Sequence, residues 1–418
     1  MGNATRFATA AAAVVLAMAG ALTVSSAAEA QAGCSATPDP ATGVACQSWT
    51  ENAQADGSTL IDLSMRTPAI FHAAGSGTPS INPVQILIGV KVYLPAGYQG
   101  TRTQAYPVLY LLHGGGGGYQ DWADSSKGDI VNTVRGSAFT GIVVMPESGL
   151  AGWYSDWAGR TDGYFAPAWE TFHISHLIPW IDAHFNTVSN RSGRAVAGLS
   201  MGGFGALKYA GAHPGLFSAV GSFSGGTDVT NSEAQSIISD SMWQAGAATG
   251  QTGMLDGKFR VNKYNPDGSL VTDQAQQASY RMATLFGAPP TGSNGTSGWQ
   301  AINPIDLVAS GAYQAYSARF GLYVGGCGTL SPDSTVTTST GRTNSAGCAY
   351  SDPISFDGEP KLALMNRDFD AALSAAGVNH RYCTGTGNHS WTYWRADLRN
   401  FLQYAYGPAP DTGDCNNA

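Results

Sequence analysis

Ser200 stands in Gly198-Leu199-Ser200-Met201-Gly202, between an apolar run (Ala195, Val196, Ala197) and a run of small, helix-forming residues (Ala206, Leu207, Tyr209, Ala210). Strand, sharp turn and helix together lift a serine hydroxyl above a sheet on a strained turn, and flanking glycines let neighbouring backbone pass close to it. The pattern alone is cheap in a chain with 54 glycines, so the strand before it and the helix after it give it its weight. A serine hydroxyl is a weak nucleophile at neutral pH; it needs a base within hydrogen-bond reach, and the base needs an acid to orient it. Among eight histidines, His389 is the best placed, because it follows the glycine-rich loop Thr384-Gly385-Thr386-Gly387-Asn388 downstream of the last strand-like run. Asp352, Asp357 and Glu359 all lie between Ser200 and His389, in the order nucleophile, acid, base, and the onset of a helix favours Glu359. The chemistry these residues can do is acyl transfer through an acyl-serine.

A second glycine-rich stretch, His113-Gly114-Gly115-Gly116-Gly117-Gly118, follows the apolar run Tyr106 to Leu112. It lacks the Gly-Lys-Ser/Thr ending of a phosphate loop. A strand ending in His-Gly-Gly-Gly instead offers a backbone N–H to an oxyanion, and the N–H after the nucleophile, that of Met201, offers the other. His113 belongs to this loop, whereas His173, His176 and His184 lie on or beside a helix predicted over Glu170 to Phe185 and read as structural.

Elements able to hold these residues follow in order along the chain. Strand-like runs fill Leu60 to Tyr98, and Tyr106–Leu112, Gly141–Met145, Phe217–Phe223 and Phe320–Val324 read as buried strands. Helices are expected after Ser200, from Glu359-Pro360 (Leu362, Met365, Phe369, Leu373) and over Trp391 to Leu402. Strands alternating with helices predict an α/β fold with a mainly parallel central sheet and helices on both faces, its ligands at the carboxyl ends of the strands. Residues 227–300, rich in Gln, Ser and Gly with little long periodicity, read as an insertion over the active site, and 328–358 as a second, polar insertion. The remaining partition is a signal peptide over 1–32, an N-terminal lead-in over 33–58, the catalytic domain over 59–407 and a tail over 408–418.

Charged residues make up 12% of the chain and the net charge is −8. No basic patch suggests nucleic acid, and the partner expected is a small-molecule, lipid or glycan ester, with no stable membrane insertion. Six cysteines in an exported chain predict three disulfides, taken in order as Cys34–Cys46, Cys327–Cys348 and Cys383–Cys415. Their spacing fits no zinc site, and neither a metal nor a cofactor is expected.

The stretches YLLHGG (Tyr110–Gly115), VVMPESG (Val143–Gly149), WYSDW (Trp153–Trp157), WETF (Trp169–Phe172), GLSMGGFGAL (Gly198–Leu207) and HSWTYW (His389–Trp394) make the chain resemble a family of secreted actinobacterial esterases. That family includes the antigen 85 mycolyltransferases and, more distantly, S-formylglutathione hydrolases and feruloyl esterases. The resemblance implies an α/β-hydrolase fold, Ser200 as nucleophile, His389 as base, Glu359 as acid, Gly115 and Met201 as oxyanion donors, and Trp391 beside the substrate. It departs at His113 and Gly116, where the mycolyltransferases carry the Asp and Arg that help to hold trehalose. The activity implied is that of a secreted or cell-wall-associated serine carboxylester hydrolase; its rivals are an acyltransferase to a sugar or glycerol hydroxyl, and a surface-binding protein without catalysis.

Overall fold

The computed structural model describes residues 34–72, 84–101, 104–159, 166–244, 261–287, 299–316, 319–325, 336–337, 343–344, 359–385 and 388–407. The expected leader over 1–32, most of the 328–358 insertion with Asp352 and Asp357, the Cys327–Cys348 pair and the tail with Cys415 lie outside these residues.

Nine strands form one sheet: β1 (Ala45–Ala53), β2 (Thr59–Arg66), β3 (Ile88–Leu94), β4 (Val108–Leu112), β5 (Ile142–Pro146), β6 (Arg194–Leu199), β7 (Ala219–Phe223), β8 (Phe320–Gly325) and β9 (Arg381–Gly385). Their order across the sheet is β1-β2-β3-β5-β4-β6-β7-β8-β9. Pairing is antiparallel from β1 through β2 and β3 to β5, and parallel from β5 to β9. The helices are α1 (Ile130–Val134), α2 (Ile178–His184), α3 (Met201–Ala212), α4 (Ser232–Gln244), α5 (Gln274–Phe286), α6 (Pro304–Ala309), α7 (Glu359–Ala375) and α8 (Trp391–Tyr406).

Every residue of β4, β5, β6 and β7 is buried because both faces of the sheet are covered. The two-residue period of a strand divides them between two cores. Val108, Tyr110, Leu112 and Val196 pack with Trp180 and Ile181 of α2, Phe204 and Leu207 of α3, and Phe369 and Leu373 of α7. Leu109, Leu111, Ala195, Ala197 and Leu199 pack with Ile130 and Val134 of α1 and Leu398, Phe401 and Leu402 of α8. This is the α/β-hydrolase fold expected from the sequence.

The structure adds detail to three expectations. The lead-in over 33–58 is not separate from the domain, because β1 is the edge strand of the sheet. Only one of its faces is covered and a bulge between Cys46 and Ser48 breaks its alternation, so its residues look polar in sequence. The disulfide Cys34–Cys46 ties this edge down, and closing its loop contributes about 3 kcal/mol through the unfolded chain. Cys383 is disulfide-bonded as well. Next, the single helix expected over Glu170 to Phe185 begins as a π-helix, Thr171–Leu177, before α2. Pro179 lacks an N–H and its ring crowds the carbonyl four residues earlier, and a wider turn ahead of it accommodates both. Finally, the 227–300 stretch contains α4 and α5. Apolar periodicity misses α5 because Gln277 and Arg281 share its buried face with Leu285. Backbone groups satisfy them: Gln277 Nε2 donates to Val271 O at 2.7 Å and Arg281 Nε to Val261 O at 2.9 Å.

Candidate active site

Between β6 and α3 the chain turns at Ser200 with φ 52° and ψ −117°. A left-handed φ is strained for a residue with a side chain, and the structure around it holds the strain in place. The Ser200 N–H donates to Phe223 O at 2.8 Å, and packing explains the glycines on either side. A Cβ on Gly198 would lie 2.4 Å from Gly202 O, and one on Gly202 would lie 2.4 Å from Leu112 O.

Ser200 Oγ is 2.9 Å from His389 Nε2, and His389 Nδ1 is 2.7 Å from Glu359 Oε2. The carboxylate accepts, so Nδ1 carries the imidazole proton and Nε2 is free to accept from the serine hydroxyl. His389 sits just ahead of α8, on the loop that leaves β9. Glu359 opens α7 and is fully buried. Its second oxygen, Oε1, accepts from Ser224 Oγ at 2.6 Å and from the Gly325 N–H at 2.6 Å. A buried carboxyl costs several kcal/mol when its oxygens go unpaired, and here both are used.

Two residues that sequence reasoning did not single out complete this network. Ser224, just past the end of β7, has φ 51°. Trp394 donates its indole N–H to Ser224 Oγ at 3.2 Å, and its ring stands at 89° to the His389 ring with centroids 4.8 Å apart. One side chain therefore buttresses the imidazole and braces the serine behind the acid. The available signal for Ser224 was its place at the carboxyl end of a buried strand, where sites of such sheets gather.

The loop after β4 comes close to the nucleophile. A Cβ on Gly115 would be 3.9 Å from Met201 Cβ, so the backbones of the two expected oxyanion donors are neighbours. The next three N–H groups are committed, from Gly116 to Leu150 O, from Gly117 to Gly114 O and from Gly118 to Asp121 Oδ2. Met201 opens α3, where the N–H dipoles favour negative charge. His113 Nδ1 donates to Gly114 O at 2.8 Å, which fixes the plane of the peptide carrying the Gly115 N–H. Its Nε2 faces the Ser148 N–H at 3.0 Å and Glu147 Oε1 at 3.3 Å. Burial disfavours a charge on His113, but the hydrogen bond and charge of Glu147 outweigh it and raise its pKa. The same contact holds Glu147 below the usual carboxylate range against the effect of burial. In either protonation state Nδ1–H stays on Gly114 O.

His173 is buried without charge. Its Nε2 donates to Glu147 O at 2.9 Å and its Nδ1 meets Tyr209 Oη at 2.8 Å. Burial lowers its pKa to about 4. His176 and His184 bond Thr67 and the Trp180 carbonyl, away from Ser200, as their structural reading predicts.

Ser200 and His389 open onto a cavity of about 760 Å³. Leu150, Trp153, Ile237 and Trp391 give it apolar walls, and the Asp121–Lys127 ion pair and Asp240 give it polar ones. Trp391, expected beside the substrate, is in this wall and packs edge-on against Trp122. Trp153, at the start of the WYSDW stretch, belongs both to the buried core and to the cavity lining. Its ring is in the cavity wall, its backbone has φ 51°, and its indole N–H donates to Ser241 Oγ of α4 at 3.0 Å. Through Ile237, Asp240 and Ser241, the 227–300 stretch contributes directly to the cavity.

Residues 81–293 match the family model described as putative esterase. An esterase of Mycobacterium tuberculosis is 36% identical over 226 residues, 53% of this chain and 46% of that protein, so the chain spans about half the length of this relative. The diacylglycerol acyltransferase/mycolyltransferase Ag85A of Mycobacterium ulcerans is 29% identical over 323 residues, 75% of this chain and 77% of the relative. Among solved structures, MPT51 of Mycobacterium tuberculosis aligns with a TM-score of 0.51 at 20% identity, over 80% of this chain and 96% of that one, a likeness of fold.

Proposed function

We propose that this chain, which belongs to the putative esterase family, hydrolyses carboxylic esters through an acyl-enzyme on Ser200. One observation carries the reading: Ser200, His389 and buried Glu359 are linked by contacts of 2.9 and 2.7 Å at an open cavity. His389 takes the hydroxyl proton as Ser200 Oγ attacks the ester carbonyl, and Glu359 stabilises the imidazolium. The Gly115 and Met201 N–H groups receive the developing oxyanion, each donor typically supplying about 3 kcal/mol to the transition state. His389 then returns the proton to the departing alcohol. Water, deprotonated by the same imidazole, releases the acid and restores Ser200. Trp391 and Leu150 offer the acyl group an apolar surface. Ser224, Trp394 and His113 are positioning residues that act through Glu359, His389 and Gly115.

A second reading, transfer of the acyl group to a sugar or glycerol hydroxyl, draws support from the likeness to Ag85A along three quarters of the chain. His113 argues against the same acceptor site, because it is spent on the Gly114 carbonyl and on Glu147. Export is part of the proposal too. The Cys34–Cys46 disulfide suits an oxidising compartment, and no helix among the described residues is long and apolar enough to cross a membrane.

The test is hydrolysis of p-nitrophenyl esters of graded chain length by the wild type and Ser200→Ala, with and without glycerol or trehalose. Turnover by the wild type alone, indifferent to acceptors, supports hydrolysis. Diversion of the acyl group into a new ester supports transfer. Inertness of both proteins would leave the non-catalytic binding reading.

A further inference from the structure

The two N–H groups proposed for the oxyanion come from different segments, Gly115 from the loop after β4 and Met201 from the first turn of α3, so their spacing needs a support that touches both. Tyr154 is such a support. It is fully buried in the stretch between β5 and the π-helix, its Oη donates to His113 O at 2.9 Å, and its own carbonyl accepts from Lys208 Nζ of α3 at 2.9 Å. Residues three and four apart share a helix face, and Met201, Gly205 and Lys208 follow that spacing. The Tyr154 ring lies against the middle one: a Cβ on Gly205 would stand 2.5 Å from its Cγ.

The phenol acts on the loop just ahead of the donor. His113 O belongs to the peptide that joins His113 to Gly114, and His113 Nδ1 holds the carbonyl of the next peptide, the one that carries the Gly115 N–H. Two consecutive peptide planes are thus fixed, the first by Tyr154 and the second by His113. His113 O also rests on α3, 2.6 Å from where a Cβ on Gly202 would stand. Holding Tyr154 there is costly, since its backbone φ is 48° and the ammonium seated under it is buried, paired to Glu170. Strain of this kind persists where the surroundings over-determine a geometry, and it gathers at functional sites. Burial, with the charge of Glu147, pushes ionisation of the Tyr154 phenol well above its ordinary value of 10, so it remains a donor wherever a histidine base works.

We propose that Tyr154 is a positioning residue for the oxyanion hole, a strut seated on Lys208 that fixes the Gly115 N–H relative to the Met201 N–H. This rests on the esterase reading above and adds a residue on which its transition-state stabilisation depends. Tyr154 touches neither substrate nor nucleophile, and its effect passes through the His113 carbonyl.

The experiment compares wild type, Tyr154→Phe and Lys208→Met in hydrolysis of p-nitrophenyl butyrate and in inhibition by hexyl trifluoromethyl ketone. Ser200 Oγ adds to the ketone carbon, its proton passes to His389, and the alkoxide left on the former carbonyl oxygen needs the same two N–H donors as the ester intermediate. In Tyr154→Phe, kcat and kcat/KM are expected to fall together by about tenfold with KM held within about twofold, and the ketone to bind more weakly by a similar factor. Unchanged kcat in a folded variant, a loss carried by KM alone, or unchanged ketone affinity would overturn the proposal. Should Tyr154→Phe not fold, Lys208→Met is judged by the same criteria. If the wild type hydrolyses no ester and ignores the ketone, the esterase reading fails, and the strut is judged by hydrogen–deuterium exchange of a peptide spanning residues 113–118. Exchange faster by about fivefold or more in Tyr154→Phe, with β6 and β7 unaltered, upholds the strut; unaltered exchange in the loop rejects it.

Discussion

Ser224 donates to Glu359 from a backbone conformation that serine rarely adopts, φ 51°, at an Oγ to Oε1 distance of 2.6 Å. Strain of this kind persists where the surroundings over-determine it, and it marks the support of the acid as a built part of the site. Glu359→Gln is expected to reduce kcat by roughly 10³- to 10⁴-fold, because an amide can hold the wrong imidazole tautomer. Ser224→Ala removes one hydrogen bond to a carboxylate, about 1.5–3 kcal/mol, and is expected to cost about 10- to 100-fold in kcat with little change in KM. Steady-state kinetics on one p-nitrophenyl ester separates the two. Near-normal Glu359→Gln activity would return the acid role to Asp352 or Asp357.

His113 acts at one remove from the chemistry. His113→Leu frees the Gly114 carbonyl and with it the orientation of the Gly115 N–H, and the expected loss is about 3 kcal/mol of transition-state stabilisation, roughly 100-fold in kcat. Thermal denaturation of the same variant shows whether the fold survives. A folded variant with unchanged kcat would remove His113 from its positioning role.

His173 makes the fold sensitive to acid. Its folded pKa of about 4 lies below the ordinary value of 6.5, so below 6.5 the unfolded chain takes up a proton that the native state refuses. Its share of stability is whole above 6.5 and is lost as pH falls to about 4, in total about 3 kcal/mol. Glu170, held at about 2 by His213 and Lys208 against the effect of burial, adds a further loss between its ordinary 4.5 and that value. Urea denaturation at pH 7.5, 6 and 5 should show falling stability in the wild type and a shallower fall in His173→Gln. Parallel slopes would assign the acid sensitivity elsewhere.

The parts of this architecture that were legible in sequence are those with one dominant physical signal. Buried parallel strands such as Val108–Leu112 are apolar throughout, and the Ser200 turn needs glycines that no other residue replaces. Position in the chain brings His389 into view, but helix onset alone favours Glu359 over Asp352 and Asp357 only slightly, and it is resemblance that singles it out. Ser224 was hidden because a serine in a loop looks the same whether it faces water or a buried carboxylate. Helix α5 was hidden because Gln277 and Arg281 anchor it through carbonyls of the extended segment that precedes it. Trp153 is not legible as a wall residue, since buried core is the commoner place for a tryptophan.

The crossing of Gly198, Gly202 and the Leu112 carbonyl bears on how this protein could be redesigned. Around Ser200 the tolerance to change runs opposite to chemical importance: the hydroxyl faces His389 at the cavity and could be exchanged for a thiol, or removed, with the fold intact. The two glycines contribute no reactive atom, yet even one added carbon on either would drive three chain segments apart. A library built to alter the reaction can exchange the nucleophile for small residues that tolerate φ 52° but has to leave its flanks untouched.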